Sequence, residues 1–316
     1  MFDFNFFTSQ DNQNIRCGFM RADADKIKGI ILLLNGRTEF MEKYTQVASH
    51  LCSIGYYVMS LDWRGQGLSV RELDNRDKGY VKNFNLYLSD LKIFYNLHVL
   101  PLSASLELPV MILAHSMGGH IALRFLSEYP QDVLTIKKAL LISPMVDIIT
   151  SPINIDFADK FIDSASRLLA DLAVTAGLEA HYIIGGRDYR KEDARFEGNV
   201  LTHDWDNFWL EHKEIAKNRN LAVGGVTWGW IKAAFDSIAT LKREKYLSKI
   251  KTPVSILSAE QDRVVSNSAQ KRVCKIIPNG KFILIPGARH EILFETEEIR
   301  KELWSIILSE LDSCFA

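Results

Sequence analysis

The sequence predicts an α/β fold, a mostly parallel sheet with helices on both faces, interrupted by one helical insertion. Three observations lead there. Short apolar runs rich in β-branched residues alternate with segments of helical period. The runs end at Gly- or polar-rich turns and are apolar on both faces, as buried parallel strands are. The alternation lapses once, between about Met145 and Ser237, and then resumes.

The elements follow in order. Residues 29–34, GIILLL, form the first buried run and stop at Asn35-Gly36; no element is predicted before it. Residues 42–54 have helical spacing up to Gly55, and 56–62 are the next strand, ending before Arg64-Gly65. An amphipathic helix covers 84–97, a strand 109–114, a helix 118–128 and a strand 139–143. After the lapse come a strand at 253–258, a helix at 266–276, a strand at 281–285 and a helix at 295–311, whose Ile299, Leu303, Ile306 and Ile307 share one face. The organisation is therefore a core of 1–144 and 238–316 with a helical cap, or lid, of 145–237 inserted after the sixth strand.

Length and composition narrow the class. A chain of 316 residues is long for one simple domain and suits a large core with an insertion. A net charge of −1 argues against nucleic acid as a partner. Cys17, Cys52, Cys274 and Cys314 lie far apart, which points away from a zinc site or a disulfide framework and toward a reducing compartment. The N-terminal stretch lacks the apolar run of a signal peptide, and no segment approaches the ~20 apolar residues of a membrane span. The expectation is a soluble cytoplasmic protein, at most peripheral to a membrane.

Residues 109–119, PVMILAHSMGG, carry the central chemical signal. A buried strand runs into Ser116, followed by small residues and a helix. That is the context of a nucleophile elbow, in which a sharp turn exposes the serine hydroxyl. Gly118 supplies a small residue after the serine, and Ala114 stands where the common motif has Gly before it. The helix that begins there adds a partial positive charge. The competing reading is an ordinary strand-to-helix turn with a capping serine.

A serine hydroxyl needs a base, and the base needs a carboxylate to orient it. On this fold the chain order is Ser, acid, His. The run SILSAEQDRVV places Asp262 just beyond a strand end, with Glu260 as the competing carboxylate. The last strand ends at Gly287-Ala288-Arg289-His290, and His290 lies in the loop before the final helix. His115 adjoins the nucleophile, so its side chain is expected to leave on the opposite side of the strand. Two backbone N–H groups should hold a developing oxyanion. Met117, directly after the serine, supplies one, and Arg37 of the Asn35-Gly36-Arg37 turn the other. Asp62, in DWRGQG, precedes Ser116 in the chain and is read as structural, holding loop backbone together with Arg64.

With DWRGQG, AHSMGG, SAEQDRVV and GARHEILFE in this order, the chain resembles the lysophospholipase and monoacylglycerol-lipase branch of the α/β-hydrolase fold, from about Gly29 to the C-terminus. NGRTEFMEKY and VGGVTWGW resemble the bacterial inner-membrane lysophospholipase in particular, where Gly36-Arg37 replaces a His-Gly dipeptide. The resemblance implies hydrolysis of a carboxylic ester of a single-chain lipid through an acyl-enzyme, without a cofactor. It places the triad on Ser116, Asp262 and His290.

Within the expected cap, Trp205, Trp209, Trp228 and Trp230 join Phe157, Phe161, Tyr182, Tyr189, Phe196, Phe208 and Phe235. These aromatics line an acyl tunnel, meet a lipid interface or form the cap's own small core. Trp228, Trp230, Arg37, Arg187 and Arg190 are the candidate substrate contacts, the arginines for a phosphate. Other readings stay open: a monoacylglycerol lipase or small-ester carboxylesterase, a thioester or carbon–carbon hydrolase, and a non-catalytic ligand-binding protein on the same fold.

Overall fold

The structure, a computed structural model, describes residues 1–24, 26–149 and 156–314, with backbone alone at 156–164. Eight strands form one sheet: β1 (Asp3–Thr8), β2 (Asn14–Met20), β3 (Gly29–Leu34), β4 (Tyr56–Leu61), β5 (Val110–His115), β6 (Ile136–Ile142), β7 (Val254–Ala259) and β8 (Gly280–Ile285). Their spatial order is β1-β2-β4-β3-β5-β6-β7-β8. β2 runs antiparallel to both β1 and β4, and from β4 to β8 every pairing is parallel. In β3, β5 and β7 every residue is buried, which is why they read as unbroken apolar runs.

The helices are α1 (Thr45–Ser53), α2 (Asn85–Phe94), α3 (Leu100–Leu106), α4 (Met117–Glu128), α5 (Asp156–Thr175), α6 (Trp205–Lys217), α7 (Trp228–Leu241), α8 (Glu244–Leu247), α9 (Asn267–Ile276) and α10 (Glu297–Asp312). Two apolar clusters cover the two faces of the sheet. One joins Ile30, Leu32, Ile112 and Leu141 to Leu91 of α2, Ile121 of α4 and Val273 of α9. The other joins Ile31, Leu33, Leu113 and Leu257 to Leu51 of α1 and Leu303 and Ile307 of α10.

Two features differ from the sequence-based expectation. β1 and β2 had not been predicted: β1 is exposed at all but one position, so it shows no apolar run. And α7 packs Trp230, Ala233, Ala234 and Leu241 into the same cluster as α2 and α4. A boundary between Ser237 and Ile238 therefore falls inside a helix that is packed on the core.

Candidate active site

Three strand ends and the turns after them build the site. β5 delivers Ser116 at φ 50° and ψ −114°, a left-handed conformation that a side-chain-bearing residue adopts only under strain. The turn is tight because α4 presses on the turn after β3: a Cβ at Gly118 would lie 2.4 Å from the Leu34 carbonyl oxygen and 2.5 Å from that of Asn35. Ala114 is accommodated, buried between Leu34 and Leu141 of the neighbouring strands.

His290 comes from the turn after β8 and Asp262 from the turn after β7. The His290 Nε2 lies 3.0 Å from the Ser116 Oγ, and its Nδ1 lies 2.8 Å from the Asp262 Oδ2. The other oxygen of Asp262 accepts the Val264 and Val265 N–H groups at 2.8 and 3.0 Å. Burial raises the Asp262 carboxyl, but His290 and these two N–H groups outweigh it, so the group stays below its ordinary value and ionised. An ionised Asp262 fixes the His290 ring with its Nε2 toward the serine. Glu260, the competing carboxylate, is turned to the Gly287 N–H at 2.8 Å.

Met117 is the first residue of α4, so its N–H has no helical partner. Among the described residues neither the Met117 nor the Arg37 N–H donates a hydrogen bond. The loop carrying Arg37 is held from two sides. The Gln66 side-chain amide donates to the Gly36 carbonyl at 2.7 Å and its oxygen accepts the Thr38 N–H at 3.2 Å. Glu39 accepts the Gly36 N–H at 2.5 Å, and Thr38 takes a left-handed φ of 65° between them.

A cavity of 530 Å³ lies over Ser116 and His290. Arg37, Arg187 and Arg190 all line it, as do Tyr189 and Phe208. The arginines differ. Arg187 is exposed and paired with Asp193 at 2.8 Å. Arg37 makes no side-chain hydrogen bond or ion pair among the described residues, and its buried Nη1 is left without a partner. Its guanidinium sits 5.4 Å from the centre of the Trp230 ring. Burial lowers the Arg37 pKa, partly opposed by the nearby Glu211. Trp228 and Trp230 are not among the residues lining this cavity; Trp230 is a core residue against Phe84. The aromatics Phe196, Trp205, Phe208 and Trp209 pack edge-on against one another on and beside α6. The Phe157 and Phe161 side chains lie outside the described residues.

Two expectations need correction. His115 does not turn away from the site. Its Nδ1 lies 3.0 Å from Glu39 Oε2, its Nε2 3.3 Å from the His290 carbonyl oxygen, and its ring centre 5.0 Å from that of His290. Asp62 does hold backbone, accepting the Met41 and Leu68 N–H groups at 3.0 and 2.9 Å, but its cation is Arg16 of β2, at 3.1 Å. Arg64 pairs instead with Asp90 and Asp11. The partner was hidden because it belongs to an unpredicted strand.

Reading the sequence also missed a buried charge cluster beside the triad. The Lys43 ammonium contacts Glu39 at 2.9 Å, Glu291 at 2.8 Å and Glu211 at 3.3 Å. The Glu39 and Lys43 spacing, one helical turn, was the visible signal; Glu211 and Glu291 are remote in the chain.

Comparison with known proteins adds four findings. A family model described as serine aminopeptidase, S33, matches residues 25–297. Lysophospholipase L2 of Escherichia coli strain K12 is 31% identical over 310 residues, covering 93% of this chain and 83% of that protein. A Haemophilus influenzae protein described as "Probable lysophospholipase L2" is 31% identical over 279 residues, covering 88% and 82%. Among solved structures, a soluble variant of monoglyceride lipase from Saccharomyces cerevisiae superposes with a TM-score of 0.77 at 18% identity, covering 99% of this chain and 95% of that one. At that identity the likeness speaks to the fold, which is that of the α/β-hydrolases.

Proposed function

The chain belongs to the serine aminopeptidase S33 family of α/β-hydrolases, and we propose that within it the protein is a lysophospholipase that cleaves the carboxylic ester of a single-chain phospholipid. The observation that carries the chemistry is the unbroken hydrogen-bonded line from Asp262 through His290 to Ser116, opening into the cavity. The Ser116 Oγ bonds to the ester carbonyl carbon as its proton passes to His290 Nε2, and the carbonyl electron pair moves onto oxygen. The Arg37 and Met117 N–H groups hold that oxyanion. Its collapse breaks the bond to the alcohol, which leaves with the proton from His290. Water then repeats the sequence on the acyl-enzyme, releasing the fatty acid and restoring Ser116. No step requires a metal or cofactor.

The nature of the leaving alcohol rests on Arg37. Ester, amide and monoacylglycerol substrates all fit the same triad, so a preference must come from what the cavity offers the rest of the molecule. An aminopeptidase must hold a substrate ammonium, yet the buried carboxylates of this cavity, Glu39 and Glu291, and the partly buried Glu211 are gathered on Lys43. Among the described residues lining the cavity, the Arg37 guanidinium is partly buried and its Nη1 has no partner, which suits a phosphate. The H. influenzae and E. coli relatives, named for lysophospholipase activity, support the same reading.

A charged hydrogen bond to phosphate is worth about 1.5–3 kcal/mol, or roughly 10–150-fold in kcat/KM. A lysophospholipid should therefore outpace a monoacylglycerol of the same chain by that order in identical mixed micelles. Arg37→Met, which keeps the backbone N–H, should remove most of the difference. Equal rates for the wild-type protein would leave a monoacylglycerol lipase or general esterase as the better description.

A further inference from the structure

The Lys43 cluster has a shape that burial alone does not explain. Its side chain is 2% exposed and meets three carboxylates from three parts of the molecule. Glu39 belongs to the loop that carries the Arg37 N–H. Glu291 follows His290 directly. Glu211 comes from α6, in the segment between β6 and β7. A buried ion pair is costly to desolvate and destabilising to break, and three anions around one ammonium are harder still to keep. Burial, with the charges of Glu291 and Glu39, pushes the Glu211 carboxyl up to about 7 against the pull of Lys43.

Glu39 is the hinge of this arrangement. Besides Lys43 it takes hydrogen bonds from the Gly36 N–H, the Tyr44 hydroxyl and His115. The Gly36 N–H sits one residue before the oxyanion donor, so the position of Glu39 sets the direction of the Arg37 N–H. The space is close: a Cβ at Gly36 would lie 2.6 Å from Glu39 Oε2 and 3.2 Å from the Ser116 Cβ. A second, apolar contact joins the same parts. Phe40, next in the loop and fully buried, packs in a small cluster with Ile215 of α6 and with Leu221 and Ala222.

We propose that Glu211 is a positioning residue: held by the Lys43 ammonium, it ties α6 to the loop bearing the Arg37 N–H, so that the oxyanion hole is in register only with α6 seated. The proposal rests on Ser116 being the nucleophile and the Arg37 N–H an oxyanion donor. It does not require that Glu211 touch the substrate.

The test compares the protein with Glu211→Gln at pH 8.5, above the value of about 7 at which the Glu211 carboxyl ionises; the substitution keeps the side chain's size and removes its charge. Three readouts are needed: steady-state kinetics on a short p-nitrophenyl ester, affinity for a short-chain trifluoromethyl ketone, and thermal midpoint. The ketone adds to the Ser116 Oγ as the serine proton passes to His290, and its oxygen becomes an oxyanion in the hole. Loss of an oxyanion donor outright costs about 10²–10³-fold. A displaced donor should cost less, roughly 10-fold in kcat, with KM within about 2-fold and the ketone affinity falling in step with kcat/KM. A folded variant with unchanged kcat and ketone affinity overturns the proposal, as does a rise in KM alone, which would make Glu211 a substrate contact. If Glu211→Gln loses its fold, Ile215→Ala replaces it, and the same two kinetic outcomes decide. Fluorophosphonate labelling tests the premise separately: wild type must label and Ser116→Ala must not. Failure there removes the reading of the site and the coupling with it, whereas labelling with no effect of Glu211→Gln removes the coupling alone.

Discussion

Residues 199–221 and the helix α5 belong to the same segment between β6 and β7, yet they are attached to the molecule in different ways. The first is stitched into the loop that follows His290. The Glu291 N–H donates to the Leu201 carbonyl at 2.8 Å, and the Thr202 hydroxyl to that of Phe294 at 2.7 Å. Arg289 donates to the Thr202 carbonyl at 3.0 Å, and the fully buried Glu295 accepts N–H groups from both His203 and Arg289. The described part of α5 is held by contacts to α7, among them Arg167 to the Phe235 carbonyl and Lys232 to Asp171. It turns Leu168, Leu169 and Leu172 to solvent, each more than half exposed. The lesson is that a segment laid over an active site need not act as one lid. One half is bonded directly to the loop that carries His290, and the described part of the other reaches the core through α7.

Substitutions should rank accordingly. The ceiling is set by the triad: Ser116→Ala or His290→Ala should lower kcat by ~10⁴-fold or more with the thermal midpoint little changed. Asp262→Asn should cost several orders of magnitude and Glu260→Gln almost nothing; the reverse pattern would move the acid to Glu260.

The sharper test of the comparison is Glu295→Gln. It weakens the stitch between 199–221 and the His290 loop, so we expect a loss of about 1.5–3 kcal/mol in stability together with a drop in kcat of roughly 10-fold. A loss of stability with kcat intact would mean that this half supports the fold without serving the chemistry. Asp62→Asn provides the contrast. It removes an anchor of a core loop, and denaturant unfolding should register about 1–3 kcal/mol. A large fall in kcat without that loss would put Asp62 in the catalytic apparatus.

Glu211→Gln also carries a pH signature. The folded carboxyl titrates at about 7 and an unfolded one at 4.5, so the folded chain holds the extra proton between these values. The stability this proton contributes is complete below the unfolded value and is lost as pH rises through 7. Facing groups are Lys43, Glu39 and Glu291, with Arg37 nearby. The midpoint of wild type should therefore fall relative to that of Glu211→Gln between pH 5 and pH 8, by a few degrees, since ~1 kcal/mol moves it about 1.5 °C in a chain of this size. A parallel pair of curves would mean that Glu211 keeps an ordinary carboxyl. At the small end, Leu168→Ser and Leu172→Ser should stay within about 0.5 kcal/mol of wild type and leave short-ester kinetics unaltered. An effect on kcat as large as that of Glu295→Gln would erase the distinction between the two halves.

Much of the frame could be read from the chain because the parallel strands are buried on both faces. GIILLL and PVMILA announce themselves, and the turns after them carry Arg37 and Ser116. β1 stayed hidden because an exposed edge strand has no such signature. The helical stretch that begins with α2 runs past Leu97. A π turn at Tyr95–Val99 carries it into α3, whose first turn tolerates Pro101. The start of β6 was missed because Lys137 and Lys138 interrupt its apolar run. At the site, Ser116, His290 and Asp262 were legible from their places after strand ends, and the structure brings the three together. Glu211, Glu291, His115 and Gln66 were not. Charged and amide side chains read as surface until the fold supplies a buried partner, and for Glu211 that partner is 168 residues away.

The two ends of the segment between β6 and β7 have one more consequence. The Met145 N–H donates to the Ser116 carbonyl, and Thr227 donates to the Gly79 carbonyl with both its N–H and its hydroxyl. The chain thus leaves and re-enters the core at pinned points, and the distance it must span is fixed whatever lies between. Doubling the length of such a loop costs only about 0.6 kcal/mol in closure entropy. A graft that exchanges residues 150–198 for a foreign stretch, while retaining 199–227 and the Asp147 and Ile149 backbone bonds to Ser266 and Val264, should leave the serine's turn undisturbed. Chimeras cut there, rather than at the end of α7, offer a route by which one scaffold acquires new alcohols to release.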